Sequence, residues 1–415
     1  MKMTDKKFTN TLYTNDNLFI LNGLNSNLVD LIYLDPPFNT KRMYSAPIGS
    51  KAAGASFKDM WTWQDVNEAY LDTLAVKYPS LTKLIATTGE THSKAMMAYL
   101  TYMAQRIVEM HRILKDTGSL FLHCDPTASH YLKLLLDEIF GKNNFRNEII
   151  WCYKRPSAPK QKQFPRLHDV IFWYSKGKDW IFNKDQIRIP YSQSSLDRAG
   201  YAANVSKMTD GGIVELTEGG KLPEDWWDIP MLKGNSKEAT GYPTQKPLAL
   251  LHRIIKASSN ENEIVFDPFC GCATTCVAAQ QLGRKWIGVD VEKQAVGILV
   301  ERLSNDAGLF KDFMNTTIVP QRTDIAIELP STSVKERLFQ EQNGLCNACG
   351  TAFDLRNLEI DHIIPKTKGG GDYYENYQLL CSSCNKIKGD RPMEYLRLKI
   401  KTREEMMENK IIFGE

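Results

Sequence analysis

The sequence predicts an α/β protein of two unequal domains, a large one built on a mainly parallel sheet and a small C-terminal one held by four cysteines. Three observations support this prediction. Strand-like and helix-like segments alternate through most of the chain. Two of the predicted strands end in an acidic residue followed by proline, at Asp35 and Asp267. Two Cys-x-x-Cys pairs stand close together in the last quarter, at 346–349 and 381–384.

Length and composition are those of an ordinary globular protein. The 415 residues are enough for two domains, and the net charge of +3 is too small to indicate nucleic-acid binding without local basic patches. No apolar run approaches the roughly 20 residues that span a bilayer, and the first residues lack a signal-peptide pattern. We therefore expect a cytoplasmic protein with no membrane partner, whose nine cysteines serve metal binding or packing.

The chain changes character near Pro330, which predicts domains over 1–325 and 331–415. In the first domain, β-branched and aromatic runs alternate with segments of helical period. Strands are predicted at 30–34, 118–123, 148–151, 170–174, 263–266 and 285–289. Helices are predicted at 97–115, 127–140, 247–258 and 274–282.

The first acidic loop is Asp35-Pro36-Pro37-Phe38, which directly follows a buried strand. Two prolines stop the strand and stiffen the loop at the carboxyl edge of the sheet, where open α/β sheets bind ligands. A carboxylate, a proline carbonyl and an aromatic ring suit an exocyclic amino group on a flat base. The alternative is a proline-rich turn after a core strand.

The second acidic loop runs from Phe266 to Thr275 and contains Gly271 before a predicted helix. Glycine lets a ligand approach the backbone closely, and a helix N-terminus offers free N–H donors. The next strand ends at Asp290, the spacing with which a βαβ unit sets an acid against ribose hydroxyls. The alternative is an ordinary crossover that binds no ligand.

Taken together, the two loops resemble the β group of amino-methylating DNA methyltransferases, in which the catalytic loop precedes the cofactor loop. The resemblance covers about residues 10–305 and implies a Rossmann-like fold, an S-adenosylmethionine cofactor, double-stranded DNA as the substrate and a plausible homodimer. By this resemblance the catalytic residues are Asp35, Pro36, Pro37 and Phe38. The cofactor-binding residues it implies are Asp16, Asn17, Lys246, Phe266, Asp267, Pro268, Phe269, Gly271, Thr275 and Asp290.

One position departs from the family pattern. Family members often have glycine where this chain has Ala273, and alanine fits there if the backbone keeps φ below zero. Cys270, Cys272 and Cys276 crowd the same turn, and we expect them to pack rather than bind a metal because no second ligand pair follows.

The implied chemistry is attack of an amine nitrogen on a sulfonium methyl group. Asp35 and the carbonyl of Pro36 would accept the amine protons, and Phe38 would stack on the extruded base, a contact worth about 1–3 kcal/mol. The Asp-Pro-Pro triplet accompanies adenine N6 more often than cytosine N4 in this family. Adenine is therefore the predicted target, with N4 of cytosine as the alternative.

The family pattern thins over about 152–240, where we place target recognition. Basic residues are interleaved with aromatic ones there, which suits contact with a phosphate backbone; a solvated loop is the alternative. The candidate DNA-binding residues are Arg155, Lys160, Lys162 and Arg166. Trp226 and Trp227 are expected to fill the core rather than to wedge into the duplex.

The C-terminal domain carries two features, a set of four cysteines and a polar motif. Cys346, Cys349, Cys381 and Cys384 have the spacing of a closed, structural tetrahedral zinc site.

The segment 334–393 resembles an HNH nuclease of the ββα-metal fold. That resemblance implies His362 as general base, Asn376 as the residue that orients it, and Asp361 and Asn385 as ligands of Mg²⁺ or Mn²⁺.

These features predict a methyltransferase fused to a nuclease, which together would form a restriction-modification enzyme. One alternative is a methyltransferase whose zinc domain binds DNA without cutting it. A third possibility is an RNA substrate for either site. The target sequence cannot be read from the chain.

Overall fold

The computed structural model describes residues 10–38, 42–46, 50, 52, 56–59, 62, 66, 74–75, 77–155, 162–197, 216–292, 294–305, 313–324, 334–372, 374–391, 393 and 395–402. Their strands are β1 (Thr11–Thr14), β2 (Val29–Leu34), β3 (Arg42–Ser45), β4 (Ser56–Asp59), β5 (Leu114–Cys124), β6 (Phe145–Cys152), β7 (His168–Ser175), β8 (Trp226–Asp228), β9 (Ile264–Asp267), β10 (Lys285–Asp290), β11 (Met314–Thr316), β12 (Leu358–His362) and β13 (Tyr377–Cys381). Their helices are α1 (Asn17–Gly23), α2 (Pro79–Thr91), α3 (Lys94–Ile113), α4 (Ser129–Phe140), α5 (Gln193–Leu196), α6 (Leu248–Ser258), α7 (Thr274–Gln281), α8 (Gln294–Asn305), α9 (Val334–Glu341) and α10 (Ser382–Lys388).

Nine strands form one sheet in the order β11-β1-β10-β9-β2-β5-β7-β6-β8. Neighbouring strands are parallel except where β7 pairs with β5 and β6. The prediction of a mainly parallel α/β sheet is therefore confirmed, and so are all the predicted strands and helices, with small shifts at their ends.

Both faces of the sheet are buried because helices cover each of them. Alternate residues of β2 show the division: Ile32 and Leu34 pack with α1, α3 and α4, whereas Leu31 and Tyr33 pack with α6 and α7. Strands buried on both faces read as continuous apolar runs, which is why β2 and β9 were recognisable in the sequence.

The C-terminal domain is a ββα unit. Strands β12 and β13 pair antiparallel, from Leu358 opposite Cys381 to His362 opposite Tyr377, and α10 follows β13 directly. Its own small core includes Leu338, Leu358 and Leu379. The boundary at 325–331 lies among residues outside the described part, so the exact domain limits stay a prediction.

The loop between β12 and β13 contacts α1 of the large domain. Leu18 packs against Ile364, and the Lys368 ammonium lies 5.9 Å from the centre of the Phe19 ring. Gly369, with φ of +85°, lies against the carbonyl oxygen of Phe19, where a side chain would collide. No helix in the described part of the chain is long and apolar enough to cross a membrane.

Candidate active sites

The sheet order brings the two acidic loops together. Strand β9 lies between β2 and β10, and all three run parallel, so their carboxyl ends meet at one edge of the sheet. A cavity of about 390 Å³ opens at this edge. Its wall includes Asp35, Phe38, Asp267 and Asp290 from the ends of the three strands.

In the first loop, the two carboxylate oxygens of Asp35 have different surroundings. Oδ2 accepts a hydrogen bond of 2.5 Å from the Lys246 ammonium. Oδ1 is buried and has no hydrogen-bond partner among the described residues. A buried acceptor without a donor costs about 1–3 kcal/mol, so this atom is suited to a donor that a ligand brings.

Phe38 is supported from behind by a buried polar network. Its ring is stacked on that of His123, with the centres 6.1 Å apart and the planes 23° from parallel. His123 Nδ1 lies 2.8 Å from the Tyr33 hydroxyl, and its Nε2 lies 3.0 Å from Asp169 Oδ2. Tyr153 donates to the other oxygen of Asp169 at 3.0 Å.

Asp169 stays ionised within this network. Burial acts to raise its pKa, but the hydrogen bonds from His123 and Tyr153 and the favourable electrostatic effects of His123 and Lys246 together leave the pKa below its ordinary value. The stacking face of Phe38 is thus fixed by a fully buried histidine held on both ring nitrogens.

The second loop turns tightly around Gly271. Its N–H donates to Asp290 Oδ2 at 2.7 Å, and its φ is +50°. A methyl group built on Gly271 would lie 3.0 Å from the ring of Tyr242. Glycine is required here both by the backbone conformation and by the close approach of the ring.

The condition under which alanine would fit at position 273, a negative φ, is not met, since Ala273 lies in the left-handed region at φ +58° and ψ +34°. The turn is so short that the Ala273 N–H donates to Cys270 O at 2.6 Å before α7 begins. A left-handed alanine costs roughly 1–2 kcal/mol, which the surrounding packing must offset.

The N-terminal motif joins the second loop through α1. Asp16 caps α1 by accepting from the Leu18 N–H at 2.8 Å, and it also accepts from Arg106 at 2.9 Å. Asn17 donates to the carbonyl oxygen of Pro268 at 2.8 Å and accepts from Arg106 Nε at 2.6 Å. Arg106 therefore ties the motif to α3.

Two acids of the cavity wall, Asp267 in the second loop and Asp290 at the end of β10, have raised pKa values. Burial raises the pKa of Asp267 to about 7, although hydrogen bonds from Thr275 and from the Phe269 N–H oppose the rise. Burial likewise raises the pKa of Asp290 to about 6. A positive charge in the cavity would favour the ionised form of both groups.

Substituting Gly271 by alanine tests the turn. We expect Gly271→Ala to lower the free energy of unfolding by about 1–2 kcal/mol, because the new side chain is forced into the left-handed region against Tyr242. Urea denaturation followed by tryptophan fluorescence measures the change. Gly234→Ala is the control, since nothing lies within 4 Å of the added methyl group, and an equal loss in both variants would contradict the prediction.

The four cysteines of the small domain converge. The sulfur atoms of Cys346, Cys349, Cys381 and Cys384 all lie within 4.8 Å of one another. Among the described residues this is the one cluster of histidine, cysteine or acidic side chains close enough to hold a metal ion. Four convergent thiols match the donor set that zinc prefers.

The histidine of the small domain has a different partner from the one expected. His362 Nε2 lies 2.8 Å from Asp372 Oδ1, whereas Asn376 binds the backbone of Ile364 and Gly371. The side-chain hydrogen bonds of Asn376 therefore shape the loop after β12, and the expected orienting bond to His362 is replaced by that of Asp372. Hydrogen bonds from Lys366, His362 and Tyr377 lower the pKa of Asp372 to about 2, against a smaller opposing effect of burial.

The two expected metal ligands of the small domain are engaged with protein groups. Asp361 accepts from the buried Lys388 ammonium at 3.0 Å and from Gln378 at 2.8 Å. Asn385 donates to Glu359 at 2.6 Å. Metal binding by Asp361 and Asn385 stays a prediction, since Lys388 holds the carboxylate that would face the cation.

Two family models match this chain. A DNA methylase family model matches residues 29–301, about two thirds of the chain. The chain belongs to this DNA methylase family. An HNH endonuclease model matches residues 346–391, which agrees with the ββα unit and the cysteine cluster of this methylase.

Three relatives illustrate the similarity. The Type II methyltransferase M.EcaI of Enterobacter cloacae is 26% identical over 80% of this chain and 78% of its own length. The Type II methyltransferase M.BglII of Bacillus subtilis is 26% identical over 76% of this chain and 75% of its own length. The DNA adenine methyltransferase YhdJ of Escherichia coli is 27% identical over 71% of this chain and 82% of its own length.

Most of the residues assigned from the sequence meet in the methylase cavity. Its wall contains Asp16, Asn17, Asp35, Pro36, Pro37, Phe38, Lys246, Asp267, Pro268, Phe269, Gly271, Thr275 and Asp290. Phe266 is the exception, because strand alternation turns its side chain into the core against α1 and α3.

Sequence reasoning missed several residues at this site. His123 was taken as an ordinary member of the predicted strand 118–123, Asp169 lay just before the predicted strand 170–174, and Arg106 was taken as part of a helix. A histidine or an aspartate within an apolar strand is the signal that would have singled out the first two, because a buried polar group needs partners.

Three of the predicted DNA-binding residues, Arg155, Lys162 and Arg166, are exposed and do not line the cavity. The fourth, Lys160, falls outside the described residues. The expectation that both tryptophans are core residues is half right: Trp227 is buried, but Trp226 is 57% exposed. The alternation of β8 at the sheet edge turns the two rings to opposite sides.

Proposed function

We propose that this methylase transfers a methyl group from S-adenosylmethionine to N6 of adenine in double-stranded DNA. The observation that carries the proposal is the unpaired, buried Oδ1 of Asp35 in the wall of the same cavity as Phe38 and the second acidic loop. An acceptor next to a stacking ring suits an extruded base with an amino group.

The cavity fits S-adenosylmethionine by the chemistry of its donors. Asp267 supplies a buried carboxylate and Asp290 a half-buried one for a cationic ligand that bears hydroxyl groups, and both line the cavity. Asp16 and Asn17 line the same cavity from α1. The cofactor supplies the electrophilic methyl group.

The residues of the first loop prepare the nucleophile. Asp16, Asn17, Asp267 and Asp290 would hold the cofactor, which would supply its methyl group to the base nitrogen and keep the electron pair of the broken C–S bond. The proton that the nitrogen loses passes to Asp35 Oδ1 and then to water. Phe38, backed by His123, holds the base in line for this attack.

Adenine is proposed on two grounds. The Asp-Pro-Pro triplet is more frequent in adenine N6 enzymes of this family, and the relative YhdJ is a DNA adenine methyltransferase. N4 of cytosine is the alternative. Single-molecule sequencing of DNA from cells that express the chain distinguishes the two, and modification at cytosine alone would overturn the choice of adenine.

We further propose that the C-terminal domain, over about 331–415, is a nuclease that cuts DNA lacking the methyl mark, so that the chain is a restriction-modification enzyme. The HNH match supports this proposal, and M.EcaI and M.BglII are Type II methyltransferases. His362 would be the general base and Asp361 and Asn385 the ligands of Mg²⁺ or Mn²⁺. For the metal to bind, Lys388 would have to leave Asp361.

A plasmid assay tests the restriction proposal. Unmethylated and premethylated plasmids are incubated with the purified chain and either Mg²⁺ or Mn²⁺. Cutting of the unmethylated plasmid alone is expected. Equal cutting of both plasmids would remove restriction as the role of the nuclease. If neither plasmid is cut with either metal, a zinc domain that only binds DNA is favoured.

We expect His362→Ala to lower DNA cleavage by at least about 100-fold, because a positioned general base contributes that much or more. Methyl transfer by the same variant should be unchanged. Cleavage is measured by plasmid nicking, with His130→Ala, an exposed histidine of the large domain, as the control. Full cleavage by His362→Ala would rule out its role as the base.

Four basic residues of the target-recognition region are proposed to bind the DNA backbone. They are Arg155, Lys160, Lys162 and Arg166, and their contacts with phosphates predict DNA binding that weakens with rising salt.

The family resemblance also supports a homodimer. Light scattering of the purified chain measures the mass of the particle in solution.

A further inference from the structure

Lys246 has a different partner from the one its motif implies. The family resemblance assigns this lysine to the cofactor, but its ammonium donates to Asp35 Oδ2 at 2.5 Å and lies 3.4 Å from the carbonyl oxygen of Thr244. Lys246 is only 7% exposed, so the contact is shielded from water. The lysine approaches the acid from the connection before α6, a segment far from Asp35 in sequence.

The contact gives the two carboxylate oxygens of Asp35 different surroundings. Oδ2 is taken by Lys246, whereas Oδ1 is buried and has no partner in the described part of the chain. A carboxylate held at one oxygen cannot rotate freely, so the direction in which Oδ1 points is set by Lys246. A buried acceptor that lacks a donor within the protein needs another source of one, and the amino group of a ligand would supply it.

The same ammonium also faces the stacking ring. Lys246 Nζ lies 5.4 Å from the centre of the Phe38 ring, within the range of a cation–π contact. One side chain thus touches both the acid and the ring that would hold the base. Its charge also acts on Asp169, which lies behind the ring in the His123 network.

We propose that Lys246 is a positioning residue for methyl transfer, whose ammonium binds Asp35 Oδ2 and thereby presents Oδ1 to the amino group of the target base. This inference rests on the amino-group methylation proposed above and adds the residue that orients its acid. A role of this kind predicts a loss in the chemical step and little change in the affinity for S-adenosylmethionine.

Lys246→Met, which keeps the length of the side chain and removes its charge, is the first test. We expect kcat for DNA methylation to fall about 10- to 100-fold, the usual cost of a misplaced catalytic group. The dissociation constant of S-adenosylmethionine, measured by calorimetry without DNA, should change less than about 2-fold. Lys246→Arg should recover part of the lost kcat, and Lys237→Met, at an exposed lysine of the same connection, should match the natural chain.

A double-mutant cycle separates positioning from a general structural effect. If Lys246 acts through Asp35, adding Lys246→Met to Asp35→Asn should lower the single-turnover rate by less than about 2-fold. An equal loss in both backgrounds would overturn the inference. So would a cofactor affinity weakened more than about 10-fold with unchanged kcat at saturating cofactor, because that result makes Lys246 a cofactor ligand.

The outcomes also separate this inference from the proposed function. If the natural chain transfers no methyl group to DNA, the proposed function fails. If the natural chain is active and Lys246→Met is equally active, only the role of Lys246 fails. Thermal unfolding of Lys246→Met checks folding. If this variant unfolds early, Lys246→Gln, which also removes the charge, takes its place with the same expected and contradicting results.

Discussion

Asp35→Asn is expected to lower the rate of methyl transfer by at least about 100-fold while leaving the affinity for S-adenosylmethionine nearly unchanged. The reason is that Lys246, the neighbour of Asp35, sets the orientation of the new amide group. Lys246 donates to Oδ2, so the oxygen of the new amide will face the ammonium. The amide NH₂ group then takes the place of Oδ1 and faces the amino group of the base. Both groups are hydrogen-bond donors, so the base loses its acceptor.

Transfer of labelled methyl groups to duplex DNA measures this effect, and calorimetry measures cofactor binding. Asp179→Asn, at an exposed position of the same domain, is the matched control. A variant Asp35→Asn with near-natural activity would show that the unpaired oxygen does not take part in the reaction, and the proposed assignment of the first loop would then be lost.

Loss of one cysteine of the predicted zinc site should unfold the small domain. The buried core of this domain consists of few side chains, among them Leu338, Leu358, Leu379 and Leu380, and a core of that size stabilises a domain only marginally. Zinc bound by four thiolates contributes on the order of 10 kcal/mol to such folds. We therefore expect Cys381→Ser to abolish both zinc binding and any DNA cleavage.

Zinc content by atomic absorption and plasmid cutting measure the outcome. Methyl transfer should persist, because the methylase cavity lies in the other domain with its own core. Cys152→Ser, at a half-buried cysteine of the large domain, is the control and should keep one zinc per chain. A Cys381→Ser chain that retains full zinc and cleavage would refute the structural role of the cluster.

The sequence by itself determined the parallel sheet, the two acidic loops and the cysteine cluster. Strands buried on both faces are continuous apolar runs, and prolines, glycines and paired cysteines mark positions whose local geometry has few alternatives. Short elements such as β1, α1 and β8 went unpredicted because four to seven residues carry too little periodic signal, and their pairing depends on distant strands.

Only the tertiary structure decided which side chains meet. The pairing of Lys246 with Asp35, the support of Phe38 by His123 and Asp169, and the bond from His362 to Asp372 join residues from different elements. The left-handed conformation of Ala273 is likewise imposed by the turn into α7. Such contacts depend on how the elements pack, and a pattern along one chain does not record which partner a buried polar group finds.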